Sequence, residues 1–133
     1  MRRILFVCHG NICRSVMAEY ILKSKTNDIY CESAATSCEE LNNDIYPPAK
    51  YCLDMHGIEY SKHRARRVTK QDYDNFDEIY VMDSNNMRNI SYILDDPDHK
   101  IKKLCDYDIE DPWWTDNFEL VYKQINEGIE RLL

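Results

Sequence analysis

The sequence predicts an α/β fold built on a parallel sheet, and three observations support this prediction. Four consecutive apolar residues at 4–7 are typical of a strand that is buried on both faces. Apolar side chains then recur at helical spacing over residues 14–25, and a second short strand is expected over 30–34. Strand, helix and strand at this spacing favour parallel pairing through a right-handed crossover. With 133 residues, the chain suits a single domain spanning residues 1–133.

The later segments continue the alternation of helices and strands. The pair Pro47-Pro48 opens a short helix that Gly57 ends, and Thr69 is placed to cap the next one. The last helix is expected to begin near Asp116, because apolar residues follow at intervals of three and four. Two further strands and the helix between them are expected over residues 78–82, 101–104 and 84–94.

Composition and charge argue against several classes of function. The net charge of −7 argues against general binding to nucleic acid, so any affinity for phosphate must be local. The chain contains no run of about 18 apolar residues, which argues against a membrane span. The six cysteines show no Cys-x2-Cys spacing and the histidines no His-x3-His spacing, so no metal is expected. Nothing indicates secretion, so we expect a reducing, cytoplasmic location without disulfides.

The segment from Cys8 to Ser15 carries the strongest chemical signal. Cys8 follows the first strand, and after a five-residue loop Arg14 begins the first helix. Such a strand–loop–helix turn directs backbone N–H groups to one point, next to the positive end of the helix dipole. We therefore predict an anion site here, with Cys8 at its floor.

The residue types in this segment suit phosphoryl chemistry. A cysteine near a helix N-terminus and a cation ionises more readily than a free thiol, so Cys8 is predicted to be a thiolate at neutral pH. Arg14 offers a planar fork of donors that fits a tetrahedral oxyanion. The Ser15 hydroxyl is placed to donate to the Cys8 sulfur. Gly10 and Asn11 are residue types that readily take a positive φ, which an inward-curling loop requires.

Residues Cys8 to Ser15 resemble the phosphate-binding loop of the low molecular weight protein tyrosine phosphatases, and the resemblance covers nearly the whole chain. It implies a flavodoxin-like, three-layer α/β/α fold with a four-stranded parallel sheet in the order 2-1-3-4. It also implies a small cytosolic enzyme that uses no metal and no other cofactor. Residues 8–15 are called the phosphate loop below. Besides Cys8 and Arg14, its members are His9, Gly10, Asn11, Ile12, Cys13 and Ser15.

Three later positions are expected to support the phosphate loop. Ser33 begins a Ser-Ala-Ala-Thr sequence that is similar to a family segment, and His63 begins a match to the family's His-x-Ala-Arg element. The resemblance implies that His63 braces Asn11. Asp83 lies in a match to the family's Met-Asp-x-x-Asn sequence, at the end of the third strand. It could pair with Arg14 or cap the helix that follows.

The proton donor of the predicted reaction is expected in residues 110–114. Displacing a phenol from phosphorus needs a proton for the leaving oxygen, and Asp111 is the candidate. Pro112 stiffens the turn and so fixes the direction of the Asp111 carboxyl. Trp113 and Trp114 could wall a slot for an aromatic ring, and the segment resembles the family's Asp-Pro-aromatic-aromatic loop. Two competing carboxylates lie nearby, Asp108 and Glu110.

Two residues have open roles. Many family members carry a tryptophan in the polar loop at 37–48 that helps to wall the substrate pocket, and this chain has none there. Tyr46 either substitutes for it or packs the loop onto the body of the protein. Cys13 shares the phosphate loop with Cys8, and in the family such a neighbour can form a reversible disulfide with the nucleophile. The alternative for Cys13 is a buried structural thiol.

The predicted function is hydrolysis of phosphotyrosine through a phosphocysteine intermediate. The expected partners are a phosphotyrosine-containing protein or peptide and inorganic phosphate or related oxyanions, with no nucleic acid and no membrane. In the family, an isoleucine at the position of Ile12 is associated with phosphotyrosine and a threonine with phosphoarginine. The alternatives are a phosphoarginine phosphatase, an arsenate reductase of the same fold, and a non-catalytic phosphoprotein-binding module. An arsenate reductase needs relay cysteines, and none lies between Met82 and Leu104.

Overall fold

Four parallel strands form the central sheet of the structure, a computed structural model that describes residues 1–133. In chain order the strands are β1 at Arg2–Cys8, β2 at Ile29–Ala35, β3 at Glu78–Val81 and β4 at Ile101–Lys103. They are arranged in the order β2-β1-β3-β4, and every pairing is parallel. The fold class and the strand order predicted from the sequence are confirmed.

Six helices accompany the sheet, and they divide between its two faces. Their bounds are α1 at Arg14–Lys25, α2 at Pro47–Met55, α3 at Lys70–Asn75, α4 at Ser84–Ser91, α5 at Pro112–Thr115 and α6 at Phe118–Glu130. The larger apolar cluster joins the sheet to α1, α2 and α6, and the smaller one joins it to α3 and α4. None of these helices is long and apolar enough to cross a membrane.

β1 lies at the centre of the sheet because both of its faces are apolar. Ile4 and Phe6 belong to the larger apolar cluster, whereas Leu5 and Val7 belong to the smaller one. Burying each of these side chains contributes about 1.5–3 kcal/mol, which fixes β1 between β2 and β3. Cys8 pairs with Ala35 at the carboxyl end of β1, where ligands bind in open parallel sheets.

Local capping explains where several helices begin. Thr69 and Asp72 form the reciprocal hydrogen bonds of a capping box at the start of α3, as the sequence predicted. The last helix differs from the prediction, because Asn117 caps it and Phe118 is its first residue. Asp116 has a left-handed φ of 57° and ends α5, a four-residue helix that was not predicted. Similarly, α4 ends at Ser91 rather than near residue 94.

Candidate active site

The phosphate loop curls around the sulfur of Cys8, which is almost fully buried at the end of β1. The Asn11 backbone N–H donates to Cys8 Sγ at 3.3 Å, and Ser15 Oγ lies 3.1 Å from the same sulfur. Ser15 Oγ already accepts from Asn11 Nδ2 at 2.8 Å. Because a thiolate can only accept, the single hydroxyl proton of Ser15 is donated to Cys8 Sγ when Cys8 is a thiolate.

Asn11 holds the loop in its inward-curling shape. Its φ is 60°, whereas Gly10, the other residue for which a positive φ was expected, does not adopt one. Gly10 instead leaves room for a neighbouring side chain. A Cβ at this position would lie only 3.3 Å from Glu40 Cγ, which is a close contact. Gly10 therefore allows the loop at 37–48 to approach, and the expectation for its backbone was wrong.

All four polar groups of Asn11 are paired, although the residue is fully buried. Its backbone N–H and side-chain Nδ2 donate to Cys8 and Ser15, as described above. Its carbonyl oxygen accepts from His63 Nε2 at 2.7 Å, and because a carbonyl oxygen can only accept, Nε2 carries a proton. Its side-chain Oδ1 accepts from the Arg66 backbone N–H at 3.2 Å. The structure therefore places His63 against Asn11, in the position that the resemblance implied.

Arg14 is the first residue of α1 and is almost fully buried, with carboxylates on two sides. Its Nη1 donates to Asp83 Oδ2 and to the Ile109 carbonyl oxygen, each at 2.8 Å. Its Nη2 lies 3.7 Å from Asp111 Oδ2. These contacts fix the plane of the guanidinium while its remaining donors can face an oxyanion in the loop.

Asp83 fills both of the roles that the sequence left open. Its Oδ2 accepts from Arg14, and its Oδ1 accepts from the Asn86 backbone N–H at 2.7 Å as the N-cap of α4. One carboxylate thus connects the start of α4 to the guanidinium of Arg14.

Asp111 directs one carboxylate oxygen toward the site. It is the N-cap of α5, where its Oδ1 accepts from the Trp113 backbone N–H at 3.1 Å and Pro112 occupies the first helical turn. Oδ2 is the oxygen near Arg14. Of the two competing carboxylates, neither lines the cavity. Lys103 donates to Asp108 and holds the pKa of that carboxyl below its usual range, which disfavours Asp108 as a proton donor.

A cavity of about 550 Å³ opens above Cys8. Trp113 and Trp114 line it together with Ile12 and the catalytic candidates. Tyr46 does not line it; its ring lies behind Trp113, with the two ring centroids 5.0 Å apart. Tyr46 therefore supports the wall of the cavity from behind.

The remaining residues predicted for the site are Ser33 and Cys13. Ser33 Oγ donates to Glu19 Oε1 at 2.6 Å, which joins β2 to α1 and involves no residue of the phosphate loop. Cys13 is buried directly before α1 and also lines the cavity. Burial raises the pKa of the Cys13 thiol well above its usual range, with the sulfur of Cys8 adding to the effect.

Several cavity residues were given no role from the sequence. Glu39 Oε2 lies 2.9 Å from His9 Nε2 at the rim. The sequence did indicate that residues after β2 lie near the site. β2 ends beside Cys8, so the chain that follows β2 must pass the phosphate loop. Ser37 does so through its backbone N–H, which donates to the His9 carbonyl oxygen. The polar residues added to the cavity by the structure are Glu39, Glu40, Asn85, Asn86 and Asn89.

The geometry agrees with the comparisons with known proteins. The family model described as low molecular weight phosphotyrosine protein phosphatase matches residues 3–133. The chain belongs to this family. It is 39% identical over 141 residues to the Gallus gallus low molecular weight phosphotyrosine protein phosphatase, a match that covers 93% of this chain and 89% of that protein. It is 36% identical over 148 residues to the Bacillus subtilis low molecular weight protein-tyrosine-phosphatase YfkJ, covering 100% and 94%.

Solved structures extend the similarity to the fold. The low molecular weight protein tyrosine phosphatase SP-PTP from Streptococcus pyogenes superposes with a TM-score of 0.96 at 35% identity, covering 100% of this chain and 91% of that one. A low molecular weight phosphotyrosine protein phosphatase is a cysteine-dependent hydrolase, so the enzyme class predicted from the phosphate loop is confirmed. The relatives do not favour the arsenate reductase, phosphoarginine phosphatase or binding-module alternatives.

Replacing Ser15 with alanine is expected to slow turnover of p-nitrophenyl phosphate by about 10- to 100-fold. The reason is that a hydrogen bond to a charged group contributes about 1.5–3 kcal/mol. The measurement is kcat from steady-state kinetics. Ser24→Ala is the matched control, because Ser24 Oγ bonds only to the Ile21 carbonyl oxygen within α1. Native turnover by Ser15→Ala would contradict the role assigned to this hydroxyl.

Proposed function

We propose that this enzyme hydrolyses phosphotyrosine in proteins or peptides through a phosphocysteine at Cys8. The observation that carries the proposal is the convergence of Cys8, Arg14 and Asp111 on one cavity with tryptophan side chains in its wall. The catalytic unit spans residues 1–133. The six free thiols fit a reducing compartment, so we place the enzyme in the cytoplasm.

In the first step the Cys8 thiolate attacks phosphorus in line with the phenolic oxygen. A sulfur–phosphorus bond forms and the oxygen–phosphorus bond breaks. Arg14 and the N–H groups of residues 9–14 hold the equatorial oxygens, so positioning and electrostatic stabilisation supply most of the rate enhancement. The carboxyl of Asp111 gives its proton to the leaving phenolate.

In the second step a water molecule attacks the phosphocysteine. Asp111, ionised by the first step, takes a proton from this water, and the sulfur of Cys8 leaves as a thiolate. Hydrogen bonds from Ser15 Oγ and the Asn11 N–H stabilise the charge that returns to the sulfur. The products are tyrosine and inorganic phosphate, and the enzyme returns to its starting state.

The cavity wall supports an aromatic substrate. Ile12 and the two tryptophans present apolar surface beside Cys8, where a phenyl ring can stack and gain about 0.5–1.5 kcal/mol. A phosphoarginine guanidinium carries several N–H donors, and the apolar side chain of Ile12 offers them no acceptor. We therefore favour phosphotyrosine over phosphoarginine.

The test of this proposal is turnover of three substrates by the reduced protein across acidic to neutral pH. We expect cleavage of a phosphotyrosine peptide, little cleavage of the matched phosphoserine peptide, and little cleavage of phosphoarginine. Cys8→Ser should abolish the activity, because a serine hydroxyl is a far poorer nucleophile here than a thiolate. Preference for phosphoarginine, or phosphotyrosine turnover that survives in Cys8→Ser, would refute the proposal.

Replacing Asp111 with asparagine tests its role as the acid. We expect kcat/KM for phosphotyrosine to fall by about 10²- to 10⁴-fold, because the phenolate must then leave without a proton. With p-nitrophenyl phosphate the loss in kcat/KM should be much smaller, since its leaving group needs little protonation. Asp108→Asn is the matched control and should leave both values unchanged. An equal loss for both substrates in Asp111→Asn would contradict the assignment.

A further inference from the structure

A cysteine, a histidine and a glutamate meet between α2 and α6, away from the cavity above Cys8. Cys52 lies within α2, His56 directly follows that helix, and Glu119 lies in the first turn of α6. The sulfur of Cys52, a ring nitrogen of His56 and a carboxylate oxygen of Glu119 all lie within 4.8 Å of one another. None of the three residues lines the substrate cavity.

The spacing of these atoms suits a tetrahedral metal ion. Cys52 Sγ lies 3.6 Å from Glu119 Oε1. Zinc binds sulfur at about 2.3 Å and oxygen at about 2.1 Å, so a tetrahedral zinc ion separates two such ligands by about 3.6 Å. His56 Nε2 lies 2.8 Å from the other carboxylate oxygen, Glu119 Oε2, as a hydrogen-bonded pair. The exposed carboxylate of Glu119 must therefore rotate for a single oxygen to meet the ion together with Cys52 Sγ and His56 Nε2.

Other contacts already orient His56. The His56 ring stacks on Tyr122 of α6, with centroids 3.6 Å apart and planes 7° apart, which fixes the direction of Nε2. The His56 backbone N–H donates to carbonyl oxygens of α2, including that of Cys52. Cys52 is buried, whereas His56 and Glu119 are exposed, so an ion and a solvent ligand can reach the site from one side.

We propose that Cys52, His56 and Glu119 form a binding site for a zinc-type divalent cation, with solvent as the fourth ligand. The ion displaces the thiol proton of Cys52, which passes to solvent, and the thiolate, imidazole and carboxylate then complete the site. It joins α2 to α6 and takes no part in phosphate chemistry. This departs from the sequence expectation of no metal, which rested on the absence of Cys-x2-Cys and His-x3-His spacings, whereas Cys52 and His56 form a mixed Cys-x3-His pair.

A ligand that binds only the folded protein stabilises it. Zinc is therefore expected to raise the melting temperature. The Cys8 thiolate could also bind zinc, so the experiment uses the full-length Cys8→Ser protein. The probe is Co²⁺, which replaces zinc in tetrahedral sites and gives an intense sulfur-to-cobalt absorption band when a thiolate is a ligand. We expect one Co²⁺ per chain, that band, and its loss when zinc is added.

All three ligands are replaced in the same Cys8→Ser background, with matched controls for Cys52 and Glu119. Cys52→Ser should abolish the sulfur-to-cobalt band, whereas Cys31→Ser removes a buried thiol elsewhere and should retain it. His56→Gln should weaken binding by at least about tenfold, because even residues that only support a ligand contribute that much.

Glu119→Gln should weaken binding in the same way, whereas Glu130→Gln, an exposed change on the same helix, should not. The zinc-induced rise in melting temperature should disappear in Glu119→Gln and persist in Glu130→Gln. No cobalt band in the Cys8→Ser protein, or a band unaffected by Cys52→Ser, would overturn the proposal. Neither result depends on phosphatase activity, so failure here would leave the proposed function untouched.

Discussion

The left-handed backbone of Asn11 is the constraint on which the active site depends. A non-glycine residue in this conformation costs on the order of 1–3 kcal/mol. Four hydrogen bonds, to Cys8, Ser15, His63 and Arg66, offset this cost at about 0.5–1.5 kcal/mol each. Two of these partners belong to the 63–66 segment, far away in sequence. The shape of the phosphate loop is therefore set by the whole fold, and the loop is preorganised before any substrate arrives.

Two carboxylates lie near Arg14, and each makes a different set of contacts. Asp83 accepts a hydrogen bond from the guanidinium with one oxygen and caps α4 with the other, so both oxygens are engaged in structural contacts. Asp111 caps α5 with one oxygen, which accepts from the Trp113 backbone N–H. Its other oxygen lies near Arg14 and faces the cavity, where a phosphoryl group would bind. The geometry thus distinguishes a carboxylate with both oxygens in structural contacts from one with an oxygen turned toward the cavity, although both lie near the same arginine.

Nearby residues encode one part of the site, whereas the distant residues His63, Asp83 and Asp111 were expected mainly from the family resemblance. Cys8, Arg14 and Ser15 lie on one strand–loop–helix turn, and their meeting follows from local geometry. The sequence could not decide between Gly10 and Asn11 for the positive φ, because the deciding hydrogen bonds come from residues 63 and 66. Nor could it place Tyr46, in the loop before α2, behind Trp113 of α5, or Glu119 of α6 beside Cys52 of α2, since both contacts join segments far apart in the sequence. The apolar run of β1 predicted a strand buried in a parallel sheet. The order of the four strands was instead implied by the family resemblance, since β2 and β4 are only partly apolar.

The central claim is that Cys8 carries the phosphoryl group between the two steps. The most direct measurement uses Asp111→Asn with p-nitrophenyl phosphate, followed by a rapid denaturing quench and mass spectrometry of the peptide that contains Cys8. Formation of the intermediate needs little help from Asp111 with this substrate, whereas its hydrolysis has lost its base. We expect the mass of one phosphoryl group to accumulate on Cys8. An unmodified Cys8 during turnover, or phosphate on His9 or another residue, would contradict it.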